Sequence, residues 1–191
     1  MKSTTIVFIL STLACSVARS QTCPSLEKAT SDDLVSWLSA STPDEKNAEC
    51  IYAAIKKLGE AKHQTAIPAL VRLIEFRRPK SDAEKLGIYI RLQDTGEKYP
   101  AVRALGEIGR SSMPAILAVI SSQSTSDLSQ RNAVDALMQF YQYHASEGIA
   151  VLRRQQDAAS DPESKNRLMH AALIAIDKWC TDKVACRQAA Q

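Results

Sequence analysis

The sequence predicts an all-α fold, a single domain of antiparallel helical hairpins stacked on one another. Three observations predict it. Glycine is scarce, with 6 in 191 residues, and strand-like alternation is nearly absent. Apolar residues recur at three- and four-residue spacing almost throughout, which places them on one face of a helix. The segments between these stretches are mostly short, so consecutive helices should lie antiparallel.

Residues 1–20 stand apart. Met1-Lys2 supplies a positive start, Ile6-Val7-Phe8-Ile9-Leu10 opens an apolar run to Val17, and Ala18-Arg19-Ser20 has small residues where a signal peptidase reads. This predicts a signal peptide cleaved before Gln21, leaving residues 21–191 as one domain exported to the periplasm or secreted. Lipoprotein processing at Cys15 is the rival, with Thr12 a poor match to the leucine-like residue such sites prefer. The run is shorter than the ~20 residues a membrane span needs, and no later segment qualifies.

The remaining elements follow in order. Periodicity predicts a short helix at 31–40 and a longer one at 44–58. Thr42-Pro43-Asp44-Glu45 should open the second with an N-cap, a proline at the first helical position and a closing glutamate. A helix over 65–77 follows, then an irregular segment over 78–98. Helices are expected at 100–108, 112–122, 127–143, 146–159 and 162–180. Ser111-Ser112 before Met113-Pro114, and Ser160-Asp161-Pro162-Glu163, mark two of these starts. Gly59, Gly106 and Gly109 fall where helices should end. Trp37 and Trp179, in the first and last helices, are expected to cover the ends of the stack, while Val134, Leu137 and Tyr141 point one helix's apolar face inward.

Outside the leader there are four cysteines, Cys23, Cys50, Cys180 and Cys186. An even number in an exported chain suggests two disulfides. Three connectivities are open; Cys23–Cys50 with Cys180–Cys186 would place one staple at each end. Residues six apart in a continuous helix lie about 9 Å apart along the axis, beyond disulfide reach. The last helix must therefore stop between Cys180 and Cys186, where Thr181-Asp182 offers turn chemistry. No CxxC pair occurs, which argues against a zinc site.

An internal repeat underlies the helical pattern. Ala54-Ile55-Lys56-Lys57-Leu58-Gly59-Glu60-Ala61 with Ala66-Ile67-Pro68-Ala69-Leu70 aligns with Val102-Arg103-Ala104-Leu105-Gly106-Glu107-Ile108-Gly109 with Met113-Pro114-Ala115-Ile116-Leu117. Weaker copies are Ala133-Val134-Asp135-Ala136-Leu137 with Gly148-Ile149-Ala150-Val151-Leu152, and His170-Ala171-Ala172-Leu173-Ile174-Ala175-Ile176. Leu105, Leu137 and Leu173 are spaced by 32 and 36 residues, whereas Leu58 precedes Leu105 by 47, the excess being the irregular segment. Alanines at Ala54, Ala104 and Ala136 would let helices approach closely, with the following leucine entering the shared core.

The pattern resembles HEAT-like repeats, in particular the short bilin-lyase-type variety, across roughly residues 47–180. Met138 and Glu147 depart from it, standing where the pattern has glycine and proline. The resemblance implies a right-handed α-solenoid of about four repeats whose hairpins are stable only when stacked. It also implies that second helices line a concave face, which makes Arg72, Glu75, Arg153, Arg154 and Gln156 candidate partner-binding residues. The basic start of the irregular segment, including Arg77 and Arg78, adds a second candidate, because long insertions in short-looped folds often carry function. Ile88 and Ile90 within it could instead pack onto the core.

Chemistry is sparse. The histidines His63, His144 and His170 form no HExxH motif, and no nucleophile elbow, phosphate loop or dinucleotide fingerprint occurs. Acids at Asp32-Asp33, Asp44-Glu45 and Glu163 suit helix starts. The net charge of +3 falls to +1 without residues 1–20, which hold Lys2 and Arg19 and no acid, and gives no electrostatic reason for nucleic acid. The expectation is a non-catalytic module, without cofactor or metal, that binds a protein partner or serves as a scaffold. A chromophore lyase, implied by some relatives of the repeat, and a nucleic-acid-binding repeat protein are the alternatives.

Overall fold

A computed structural model describes residues 24–90, 92 and 94–189. The expected leader, its cleavage site before Gln21 and Cys23 lie outside the described residues. Every regular element among the described residues is helical. Helix α1 is Ser31–Ala40, α2 Ala48–Glu60, α3 Ile67–Arg72, α4 Asp82–Lys85, α5 Thr95–Lys98 and α6 Pro100–Ile108. They are followed by α7 Met113–Ser121, α8 Asp127–Phe140, α9 Ala145–Ala158, α10 Pro162–Trp179 and α11 Lys183–Ala189. No helix among the described residues is long and apolar enough to cross a membrane.

The helix starts show which side chains act as caps. Thr30 and Asp33 form a capping box that opens α1, and Ser126 and Asp161 cap α8 and α10, with Pro162 in the first turn of α10. Two starts differ from expectation. Thr42 does not cap α2; Asp44 Oδ1 instead accepts from the backbone of Lys46 and Asn47 at 2.9 and 2.8 Å, holding a turn that delays the helix to Ala48. Ser112 does not cap α7, because its hydroxyl donates back to the carbonyls of Leu105 and Gly109, both at 2.8 Å.

Packing follows the chain: α2 lies on α6, α6 on α8, and α8 on α10, with α1 against α2 and α3. Helix α3 contacts α6 and α7, α7 contacts α8 and α10, and α9 packs mainly on α10 and also touches α8. Leu58, Leu105 and Leu137 are fully buried, as are Ala54 and Ala136, and Ala104 nearly so. Each such leucine contributes about 1.5–3 kcal/mol relative to exposure. The fourth copy departs from this. Leu173 is 56% exposed, and α10 instead buries Leu168, Ala171, Ala175 and Ile176. Met169 and Leu173, four residues apart on α10, share an exposed face of that helix.

Glycines correct a second expectation. Gly59 and Gly106 do not end helices; both lie inside them, at helix contacts. A Cβ on Gly59 would lie 2.8 Å from Ala104 Cα, and one on Gly106 would lie 3.0 Å from Gln139 Cδ. Only Gly109 terminates its helix, with φ 87°, a conformation side chains disfavour.

Helix α10 ends at Trp179, and α11 begins at Lys183. The break lets Cys180 and Cys186 form a disulfide with Cα atoms 6.4 Å apart, which ties α11 back where it packs on α9. Cys50 is disulfide-bonded.

Between Arg78 and Lys98 the chain forms a loop closed at its base, where the Arg78 amide donates to Lys98 O at 3.0 Å. Ser81 and Glu84 form a capping box that starts α4. The Arg78 guanidinium contacts the Glu84 carboxylate at 2.8 Å, both side chains largely buried. Gly87, with φ 83°, turns the chain outward after α4. Ile88 and Ile90 therefore do not pack onto the core: Leu86, Ile88, Tyr89 and Ile90 are 81, 57, 86 and 38% exposed.

Candidate functional site

The repeated Leu-Gly-Glu places two glutamates side by side. Residues four apart share a helix face, so Tyr52, Lys56 and Glu60 form one stripe of α2, which borders a cleft of about 410 Å³. From α6 come Pro100, Arg103, Ala104 and Glu107 at the same helical spacing. Gly59 is the reason the two stripes meet: it lets α2 approach the Ala104 backbone, bringing Glu60 and Glu107 to one cleft. The loop supplies the remaining wall through Arg78, Ile90 and Leu92, and α5 contributes Gly96 and Glu97.

The charges in this cleft are unequally satisfied. Arg78 is held by Glu84 at 2.8 Å, Arg103 by Asp94 at 3.1 Å, and Lys56 by Glu60 at 3.8 Å. Arg78 keeps the Glu84 carboxyl down to about 2, helped by the Ser81 backbone amide and hydroxyl. Glu107 has no hydrogen bond or ion pair among the described residues. Burial raises its pKa, and Glu60 adds to the rise, while Arg103, Lys56 and Lys62 act the other way without offsetting it. Among the described residues, the cleft thus contains cations matched by the protein's own acids and one half-buried carboxylate, Glu107, that is not.

A second polar cluster lies between α8 and α10. Asp135 is 5% exposed, and its carboxylate accepts from Lys178 Nζ at 2.6 Å and Trp179 Nε1 at 3.1 Å. Lys178 also reaches Thr95 Oγ1 at 2.7 Å, joining α10 to α5. The weaker third repeat thus carries a buried acid whose partners come from the last helix, and Trp179 is partly buried against the core with its ring nitrogen satisfied.

The residues expected on a concave face are not gathered into one site. Arg72 donates to the carbonyls of Leu38 and Ser41, tying α3 to the end of α1. Glu75 accepts from the hydroxyls of Ser126 and Ser129 at the start of α8, which lowers its pKa. Arg153 bonds Gln156 at 3.1 Å and lies 3.7 Å from Asp157 on its own helix. Arg154 borders a separate cleft between α7 and α9 with Met113 and Tyr141. Arg77 is exposed, and of these candidates only Arg78 lines the α2–α6 cleft. Tyr52, Lys56, Glu60, Arg103 and Glu107 were missed as site residues, although the repeated glutamate was visible in the alignment.

Among the described residues, no cluster of three or more His, Cys, Asp or Glu side chains could hold a metal. His63 pairs with Asp32 at 3.0 Å, and His170 Nδ1 lies 3.1 Å from Gln130 Oε1. No family model, curated protein or solved structure matches the chain.

Proposed function

We propose that the chain is an exported, non-catalytic protein-binding or scaffold module, a right-handed α-solenoid built from about four HEAT-like repeats. The observation that carries this reading is the α2–α6 cleft. It is formed from equivalent positions of two successive sequence repeats and bordered by a loop that exposes Leu86, Ile88, Tyr89 and Ile90. Consecutive exposed apolar residues on a base-pinned loop suit contact with another molecule more than solvation. The Cys180–Cys186 disulfide supports an oxidising compartment. So does the sequence of residues 1–20, with its positive start, apolar run and small residues before Gln21.

The direct test is affinity capture from the periplasmic or extracellular fraction in which the chain resides, followed by calorimetry with the purified partner. A protein bound by wild type and lost from Leu86→Ser/Ile88→Ser/Ile90→Ser supports the module reading. Absence of any saturable protein partner sinks it.

A further inference from the structure

We infer that the α2–α6 cleft receives the side chain of a lysine or arginine belonging to a partner polypeptide, while the partner's flanking apolar residues cover Leu86, Ile88, Tyr89 and Ile90. This rests on the module reading and gives it a site and a partner chemistry.

The charge balance selects a cation. Arg78, Arg103 and Lys56 each face an acid of the protein's own, so an anionic ligand would have to compete with Glu84, Asp94 and Glu60 for them. It would also sit beside Glu107, which has no such partner among the described residues and whose ionised form is disfavoured by burial. A bound ammonium or guanidinium reverses that: it forms a charge-assisted hydrogen bond with Glu107. The cleft has the dimensions for this. Its volume of about 410 Å³ accepts a long side chain, and Ile90, Leu92, Pro100 and Ala104 line it alongside the acids, suited to the methylene stem of such a residue.

The apolar rim makes the cation part of a polypeptide. Ile90 lines the cleft and also belongs to the exposed run that begins at Leu86. A free amine or metal ion would fill the charged end and leave this run bare. A chain carrying isoleucine or leucine next to its basic residue would cover both, and burying those loop side chains adds about 25 cal/mol per Å² of apolar surface removed from water.

The test is a titration followed by backbone amide NMR, with acetyl-Ala-Ile-Lys-Ile-Ala-amide as the probe. The same peptide with norleucine replacing lysine removes only the charge, and butylamine supplies only the cation. The expected result is saturable binding of the lysine peptide, with shifts in 56–60, 86–90 and 103–107. The norleucine peptide and butylamine should each bind roughly tenfold more weakly or worse, since a hydrogen bond to a charged group is worth about 1.5–3 kcal/mol. Glu107→Gln should abolish the lysine preference, bringing the lysine peptide's affinity to that of the norleucine peptide. Its thermal melt confirms that the fold is intact.

Equal binding of the two peptides, shifts confined to other helices, or no binding at all would overturn the inference. So would loop-dependent binding to anionic phospholipid vesicles, or loop-dependent self-association in sedimentation, without the lysine preference. A native partner that is captured by wild type and by Glu107→Gln alike removes this site and leaves the module reading standing. A lysine-selective cleft in a chain that captures no native protein leaves the cleft chemistry and removes the module.

Discussion

Gly59 of α2 lies against Ala104 of α6 so closely that a Cβ on the glycine would be 2.8 Å from both the Cα and the Cβ of the alanine. The close approach is what puts Glu60 and Glu107 on a common cleft. In an isolated helix Gly59→Ala would stabilise by about 1 kcal/mol. Here the methyl meets backbone that cannot rotate away, and overpacking of this kind costs about 1–3 kcal/mol. Urea unfolding should show Gly59→Ala destabilised despite its better propensity. Gly106→Ala should lose less, because its neighbour is the rotatable side chain of Gln139.

Glu107 should weaken the fold when ionised. Burial raises its pKa, so the native state holds this proton more tightly than the unfolded chain does. Stability attributable to the group is greatest below the ordinary glutamate value and falls as pH rises through the raised one. Glu107→Gln should therefore melt above wild type near neutrality, by under about 1 kcal/mol given its partial exposure, and the difference should close below about pH 4. A cation in the cleft should remove the same penalty, so peptide affinity should fall as Glu107 becomes protonated.

Arg78 and Glu84 behave in the opposite sense. With the carboxyl held at about 2, its stabilising contribution is complete above the ordinary glutamate value and is lost as pH falls toward 2. Carboxyl NMR should find Glu84 titrating at this low pH in wild type and higher in Arg78→Ala, still below the ordinary glutamate value because Ser81 continues to donate to it. The same variant should speed hydrogen exchange in 79–90, where the loop loses its internal anchor, and spare α8 to α10.

The Asp135–Lys178 pair should respond asymmetrically to loss of either member. Side-chain exposure is 7% for the acid and 45% for the lysine. Lys178→Met strands a buried carboxylate, and thermal or urea unfolding should show a cost of about 3 kcal/mol. Asp135→Asn keeps an acceptor for Trp179 Nε1 and leaves a lysine that water can reach, so it should cost about 1–2 kcal/mol. Equal costs would mean that the carboxylate is better hydrated than its burial indicates.

Much of the helical layout was legible from spacing alone. The helices at 31–40 and 100–108 occupy the expected residues and the four after 108 begin and end within three, whereas that expected at 44–58 starts four residues late and that at 65–77 ends five early. The break between Cys180 and Cys186 follows from helix rise and disulfide reach, and the chain does break there. Thr42 and Leu173 show where local reading fails. Thr42 lost the helix start to an Asp44 turn, and Leu173 matched the repeat but lies on an exposed face of α10.

By itself the sequence determined eight of the described helices, most of their boundaries, and the core positions Leu58, Leu105, Leu137, Ala54, Ala104 and Ala136, because periodicity and capping act over a few residues. Tertiary structure decided the rest. A glycine expected to end α2 instead admits α6, since the closeness of two helices depends on both surfaces. Of the arginines expected on one face, Arg72 is taken up by the Leu38 and Ser41 carbonyls of a distant helix and Arg153 by Gln156 on its own. Glu60 and Glu107 lie 47 residues apart in the chain, and they share a cleft only because Gly59 lets α2 reach Ala104.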